Sequence, residues 1–278
     1  MHPVAVLLVL GAAFSHAGWN LFAKRVPHGG ASFVWLTAAL DFVLLLPFAV
    51  VIVVRDGVPG VWWVAIAVTG MLHLVYFLLL QRGYRVGDLS VVYPLARGSG
   101  PLLSIVAAVW LLNERPGTTA LVGAGLVIAG VFVIGGLRTG RGAAYGFATG
   151  VLIAAYTLWD AHAVTALAVS PLVLMAGSAA VETLLLAPYA WPRRQEIGQL
   201  WREHRLPVLA VVVLSPIAYL LVLFALRLAP VSMVAPAREL SIVIASLGAW
   251  LLLGEPNPAR RLVGAVIVVA GVAAIAVS

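Results

Sequence analysis

Ten runs of about 20 apolar residues, parted by short polar breaks, leave this chain few ways to fold. They cover residues 3–23, 32–54, 61–82, 89–112, 118–137, 143–165, 171–191, 206–227, 231–253 and 260–277. Charged residues make up only 10% of the chain and hydrophobic ones 63%, whereas an ordinary soluble domain carries about 25% charge. Such a chain cannot cover a water-facing surface. The runs have helix length and lack the alternation of barrel strands, so the expected fold is an all-α membrane protein. Turn-forming residues punctuate the breaks, among them Pro27-His28-Gly29-Gly30, Arg55-Asp56-Gly57, Arg115-Pro116-Gly117 and Glu255-Pro256-Asn257-Pro258. Only the connection from Arg193 to Arg205 is long. Residues 1–17 could pass for a signal peptide ending at Ser15-His16-Ala17, but no Lys or Arg precedes the apolar run, so it reads as the first helix.

The chain repeats itself. Leu121-Val122-Gly123-Ala124 with Ala129-Gly130-Val131 returns as Leu262-Val263-Gly264-Ala265 with Ala270-Gly271-Val272, 141 residues on. The same offset relates Arg97 to Arg238, Glu114 to Glu255, Asp41 to Glu182 and Pro47 to Pro188, while Trp19-Asn20 and Trp159-Asp160 match at 140. The units are residues 1–140 and 141–278, each with five spans. An odd number of spans inverts the second unit relative to the first. Ten transmembrane helices in two inverted five-helix repeats are the architecture of secondary transporters, with a small-molecule site at the midplane between the halves.

Lys and Arg in the connections set an orientation. Odd-numbered connections hold Lys24, Arg25, Arg82, Arg85, Arg138, Arg141, Arg193, Arg194, Arg202, Arg205, Arg260 and Arg261, against Arg55, Arg115 and Arg227 in the even ones. Twelve against three places the odd connections in the cytoplasm and both termini outside. The net charge of +7 is therefore a topology signal and not a nucleic-acid patch. With no cysteine, disulfides and thiolate metal sites are excluded, and no cofactor motif is present.

The halves resemble EamA-type domains of the drug/metabolite transporter superfamily. Ser15-His16-Ala17-Gly18-Trp19-Asn20 with Lys24, Tyr93-Pro94-Leu95-Ala96-Arg97-Gly98 and Leu111-Leu112-Asn113-Glu114-Arg115 carry the likeness in the first half. Ala237-Arg238-Glu239-Leu240-Ser241 and Leu252-Leu253-Gly254-Glu255 carry it in the second. The resemblance implies a multi-pass carrier of the bacterial inner membrane, monomer or homodimer, moving amino acids, other anionic or zwitterionic metabolites, or drugs by alternating access. It also implies cytoplasmic termini, against the charge count.

The arginines are the strongest candidates for substrate contact. A guanidinium in hydrocarbon costs roughly 2.5 kcal/mol or more, so it faces a partner or a cavity. Its fork suits a carboxylate or phosphate. For Arg97 and Arg238 the alternative is pairing with an acid, first of all Glu239. Glu239 points about 100° from Arg238 on a helix and would meet Arg97 or another helix. His16, Asn20 and Lys24 share one helical face. His73 and Tyr76 add an imidazole and a phenol in the third span, with Ser215 and Tyr219 at similar depth in the second repeat. Trp19, Trp159 and Tyr93 could wall the pocket.

Asp41, Asp160, Glu182 and Glu239 are the proton-coupling candidates, since a buried carboxyl can take up and release a proton. The plainer reading of each is a structural contact. Glu114 and Glu255 read as ties between helix ends and loops. Pro94, Pro101, Pro230 and Pro236 are expected to interrupt the fourth and ninth spans. Gly123, Gly125, Gly130, Gly264 and Gly271 suit close helix contact, as scaffold or dimer face. Trp62, Trp63, Trp191 and Trp201 read as an interfacial belt. The rivals to a carrier are a lipid flippase or drug exporter, and an intramembrane enzyme, for which no HExxH, nucleophile or metal-pair motif is present.

Overall fold

The computed structural model describes residues 1–278 except 24, 27–29, 88, 137–139, 141 and 254–257, and gives no side-chain environment for 89–90, 249–253 and 258. Lys24, Arg138, Arg141 and Glu255, singled out above, lie outside the described residues.

The apolar runs become helices because in hydrocarbon every backbone N–H and C=O must be satisfied within the segment. They are α1 (Pro3–Ala23), α2 (Gly30–Asp56), α3 (Gly60–Val86), α4 (Leu89–Leu111), α5 (Thr118–Gly135), α6 (Ala143–Thr165) and α7 (Pro171–Ala190). After a single 3₁₀ turn come α8 (Arg194–Glu203), α9 (Arg205–Leu226), α10 (Val231–Ala237), α11 (Leu240–Leu253) and α12 (Pro258–Ala276). Among the described residues ten spans are long and apolar enough to cross a membrane, α10 and α11 together making the ninth. Even parity brings both ends to one face, where the Met1 ammonium donates to the carbonyls of Ala276 and Ser278 at 3.1 Å.

The two repeats interleave. α1 packs on α9 and α11 of the second repeat, while α6 packs on α3 and α4 of the first. α3 packs on α7 as well, and two helices pair with their own repeat mates, α2 with α7 and α5 with α12. Those two pairs lie on the pseudo-two-fold axis. In the α5–α12 pair the glycines are consumed inside the chain. A Cβ at Gly123 would stand 2.7 Å from the Gly271 carbonyl oxygen, and one at Gly130 would stand 2.9 Å from that of Gly264. Gly125 faces open space.

Two expectations need correction. The prolines do not interrupt α4: Pro94 and Pro101 sit inside an unbroken helix. α4 lies tightly along α6, where a Cβ at Gly146 would come within 2.8 Å of the Val92 carbonyl, and that packing holds the helix through the missing N–H groups. The ninth span does break, after Pro236, at Arg238-Glu239. Second, Trp62 is not in the lipid-facing belt. It is 8% exposed and its indole donates to the Leu167 carbonyl at 3.1 Å, whereas Trp63 and Trp191 are 63% and 75% exposed. The long connection, on which the sequence reading is silent, forms α8. Ile197, Leu200 and Trp201 of α8 pack against Leu36, Val208 and Val212, and Arg194 and Arg202 remain exposed.

The glycine contacts give a direct test. Gly271→Ala should destabilise the detergent-solubilised protein by about 1–3 kcal/mol through overpacking. Gly125→Ala should be neutral or gain up to about 1 kcal/mol from helix propensity. Equal thermal shifts for the two variants would show that α5 and α12 do not approach so closely.

Candidate functional site

Side chains from six helices meet where the two repeats cross. On α3, Thr69, His73 and Tyr76 follow one another at spacings of four and three and so share a face. On α6, Tyr156 and Asp160 do the same. Tyr219 reaches in from α9, Tyr93 and Arg97 from α4, and Arg238, Glu239 and Ser241 from the α10–α11 break.

Asp160 is one centre. Its Oδ1 accepts the Thr69 hydroxyl at 2.6 Å. Its Oδ2 faces His73 Nε2 at 3.1 Å and accepts a short hydrogen bond from the Tyr219 hydroxyl. The His73 ring stands edge-on to Tyr156 and Tyr219, with centroids 4.5 and 5.1 Å away. Tyr76 packs edge-on to Tyr156 at 5.5 Å. Such edge-to-face contacts fix ring orientation as well as filling space.

Glu239 is the other centre. Its Oε2 lies 3.0 Å from Arg97 Nε and its Oε1 3.7 Å from Arg238 Nε. Arg97 also donates to the Ser241 hydroxyl at 3.1 Å. Arg238 donates to the Tyr156 hydroxyl at 3.3 Å and lies 5.7 Å from that ring's centroid, within cation–π range. Tyr156 thus links the two centres. Asp160 and Glu239 are both 0% exposed, so both carboxylates are fully buried, while His73, Tyr76, Tyr93 and Tyr219 keep some exposed surface. Two guanidiniums and two carboxylates share the network.

The remaining candidates are placed around these centres. His16 lies within electrostatic reach of both arginines and stands edge-on to Trp19, centroids 5.0 Å apart. Tyr93 is within reach of Arg97 and Glu239. Asn20 turns back on its own helix, its amide donating to the His16 carbonyl at 2.7 Å. Trp159 ties α6 to α3 by donating to the Ala65 carbonyl at 3.3 Å. Asp41 and Glu182 sit on the axial α2–α7 pair within electrostatic reach of each other, and Glu182 also senses His73 and Asp160. The buried Asp41 Oδ1 has no hydrogen-bond partner among the described residues.

Glu114 closes the picture as a tie. Its two oxygens accept the backbone N–H groups of Val231 and Ser232 at 2.8 and 2.9 Å. A carboxylate there satisfies orphan donors and complements the helix dipole at the start of α10.

Sequence reasoning singled out neither Thr69 nor Tyr156. Both carried a signal. Thr69 precedes His73 by one turn on the same face, and Tyr156 is the repeat counterpart of His16 at the 140 offset.

The fold is shared with solved structures. One, titled only "Crystal structure of protein", superimposes with a TM-score of 0.74 at 19% identity, covering 98% of this chain and 96% of that one. No curated protein sequence matches the chain. The profile described as the EamA-like transporter family matches twice, over residues 3–136 and 140–277. The chain therefore belongs to the EamA-like transporter family of the drug/metabolite transporter superfamily, and is an integral multi-pass membrane protein built from two inverted repeats.

Proposed function

We propose that the protein is a secondary carrier for small zwitterionic or anionic metabolites, amino-acid-like in size, working by alternating access in a bacterial inner membrane. The observation that carries this reading is the buried group of Arg97, Glu239 and Arg238, formed across the two repeats. Two guanidiniums share one nearby carboxylate, which leaves a place for the anionic end of a solute. Asp160, joined to Arg238 through Tyr156, supplies the opposite pole. A zwitterion's ammonium group would face Asp160 and the rings of Tyr156 and Tyr219, its carboxylate the arginines. His16, Tyr76 and Tyr93 line the approach, while Asn20 and Trp19 make their contacts within α1 and Trp159 ties α6 to α3.

A proton site is the second half of the proposal. Asp160 and Glu239 are already engaged by donors and cations. Asp41 and Glu182 have no cationic partner among the described residues other than what His73 can offer. Two buried carboxylates cannot both stay charged at low cost without one. A proton held between them would be released or exchanged as the axial helices α2 and α7 shift.

Thermal unfolding of the purified protein across amino acids, organic acids, phosphates and cationic drugs tests the substrate class. A bound solute at 100 times its Kd should add about 2.7 kcal/mol to the stability. Carboxylate-bearing solutes should stabilise the wild type and leave Arg97→Gln unmoved. Stabilisation by organic cations alone would remove the arginines from the substrate site.

Proton flux is measured separately in proteoliposomes carrying a pH dye. Asp41→Asn and Glu182→Gln should each abolish solute-driven proton movement while solute binding survives. Unchanged flux in both variants would dismiss the axial pair as the coupling site.

A further inference from the structure

Glu239 occupies the place that an anionic solute would need. It is fully buried, with one oxygen 3.0 Å from Arg97 of the first repeat and the other 3.7 Å from the adjacent Arg238. Asp160 does not share this task directly, since its oxygens are taken by Thr69, His73 and Tyr219. The local group is therefore two cations and one anion, a net charge of +1. Glu239 also sits where the ninth span breaks. There its N–H turns to the Pro236 carbonyl at 3.0 Å, a tighter bond than the α-helical one. A junction of this kind can let the carboxylate swing off Arg97 without unwinding either helical piece.

From this arrangement we infer that Glu239 is the specificity-determining residue that sets the charge class of the solute. It acts as a built-in carboxylate that fills one of two anion places at the arginines and leaves the other for a single negative charge. A monocarboxylate completes a neutral group of two guanidiniums and two carboxylates. A dianion brings one charge too many into a region where an unpaired charge is costly. The same residue competes with the solute for Arg97, so the apparent affinity of the wild type is lowered by the fraction of time that the pair stays formed. The inference rests on the proposed role of the arginines as the anion site.

The experiment compares butyrate, a monocarboxylate, with succinate, the matching dicarboxylate, at fixed ionic strength. The readout is the concentration that gives half of the thermal stabilisation. In the wild type, butyrate should act at a concentration about tenfold below that of succinate, a difference of one charge contact. Glu239→Gln raises the local charge to +2 and should invert the order. The double variant Arg97→Gln/Glu239→Gln returns it to +1 and should restore the preference for butyrate.

Glu239→Gln leaves two buried guanidiniums without a carboxylate, so it is purified in each acid. Recovery in succinate and not in butyrate is the same supporting result. If it is recovered in neither, the double variant decides: preference for succinate, or no response, overturns the inference. An unchanged order in Glu239→Gln also overturns it while leaving the arginine site standing. Failure of every protein, wild type included, to respond to either acid overturns both.

Discussion

The contact between Arg97 and Glu239 is the one on which the rest of the centre depends. Neither charge could be kept in the membrane interior alone, because removing either partner of a buried pair typically costs about 3–5 kcal/mol. The pair can form only if α4 of the first repeat lies against the break between α10 and α11 of the second. Its 3.0 Å geometry thus requires the interleaved packing, the unbroken course of α4 and the interruption after Pro236 together. Once these are in place, Arg238 is held beside the same carboxylate and bonds Tyr156, whose ring stands against His73, a partner of Asp160.

The pseudo-symmetry explains where each kind of residue is useful. Helices that pair with their own repeat mates, α5 with α12 and α2 with α7, meet across the axis. The first pair uses facing glycines for a dry backbone contact, and the second brings Asp41 toward its repeat mate Glu182. Off the axis the halves diverge. Asn20 spends its amide on its own helix, while Asp160 at the matching position gathers three donors from α3 and α9. Arg97 sits in a continuous helix, Arg238 at a break. Symmetry builds the scaffold, and the differences between the copies supply the chemistry.

Much of this was legible in the sequence because a bilayer leaves so little freedom. Spans, their number, the five-plus-five repeat and its inversion follow from apolar run lengths and a 141-residue offset. The 100° between helical neighbours pointed Glu239 to Arg97 or another helix; it lies 3.0 Å from Arg97 and, at a break in the helix, stays 3.7 Å from Arg238 as well. Proline content, by contrast, did not say which helix breaks. α4 carries two prolines and stays whole because α6 supports it, a tertiary fact with no local signature. Trp62 and Trp63 are adjacent at one span end, and only the position of the Leu167 carbonyl decides which one turns inward. The short α8 was hidden because its pattern is amphipathic and polar on average, outside any apolar run.

The two buried centres are held in different ways. Asp160 is bound by three groups on two neighbouring helices, so α3, α6 and α9 are knit together there. Glu239 holds Arg97 by a single close contact, with Arg238 farther off. At its other end α10 is fixed to the first repeat by two hydrogen bonds to Glu114, at 2.8 and 2.9 Å. α10 is buried from Val231 to Ala237 save for Met233, so Glu114 fixes where this short helix starts, and Glu239 and Ser241, both on Arg97, fix the turn that follows it.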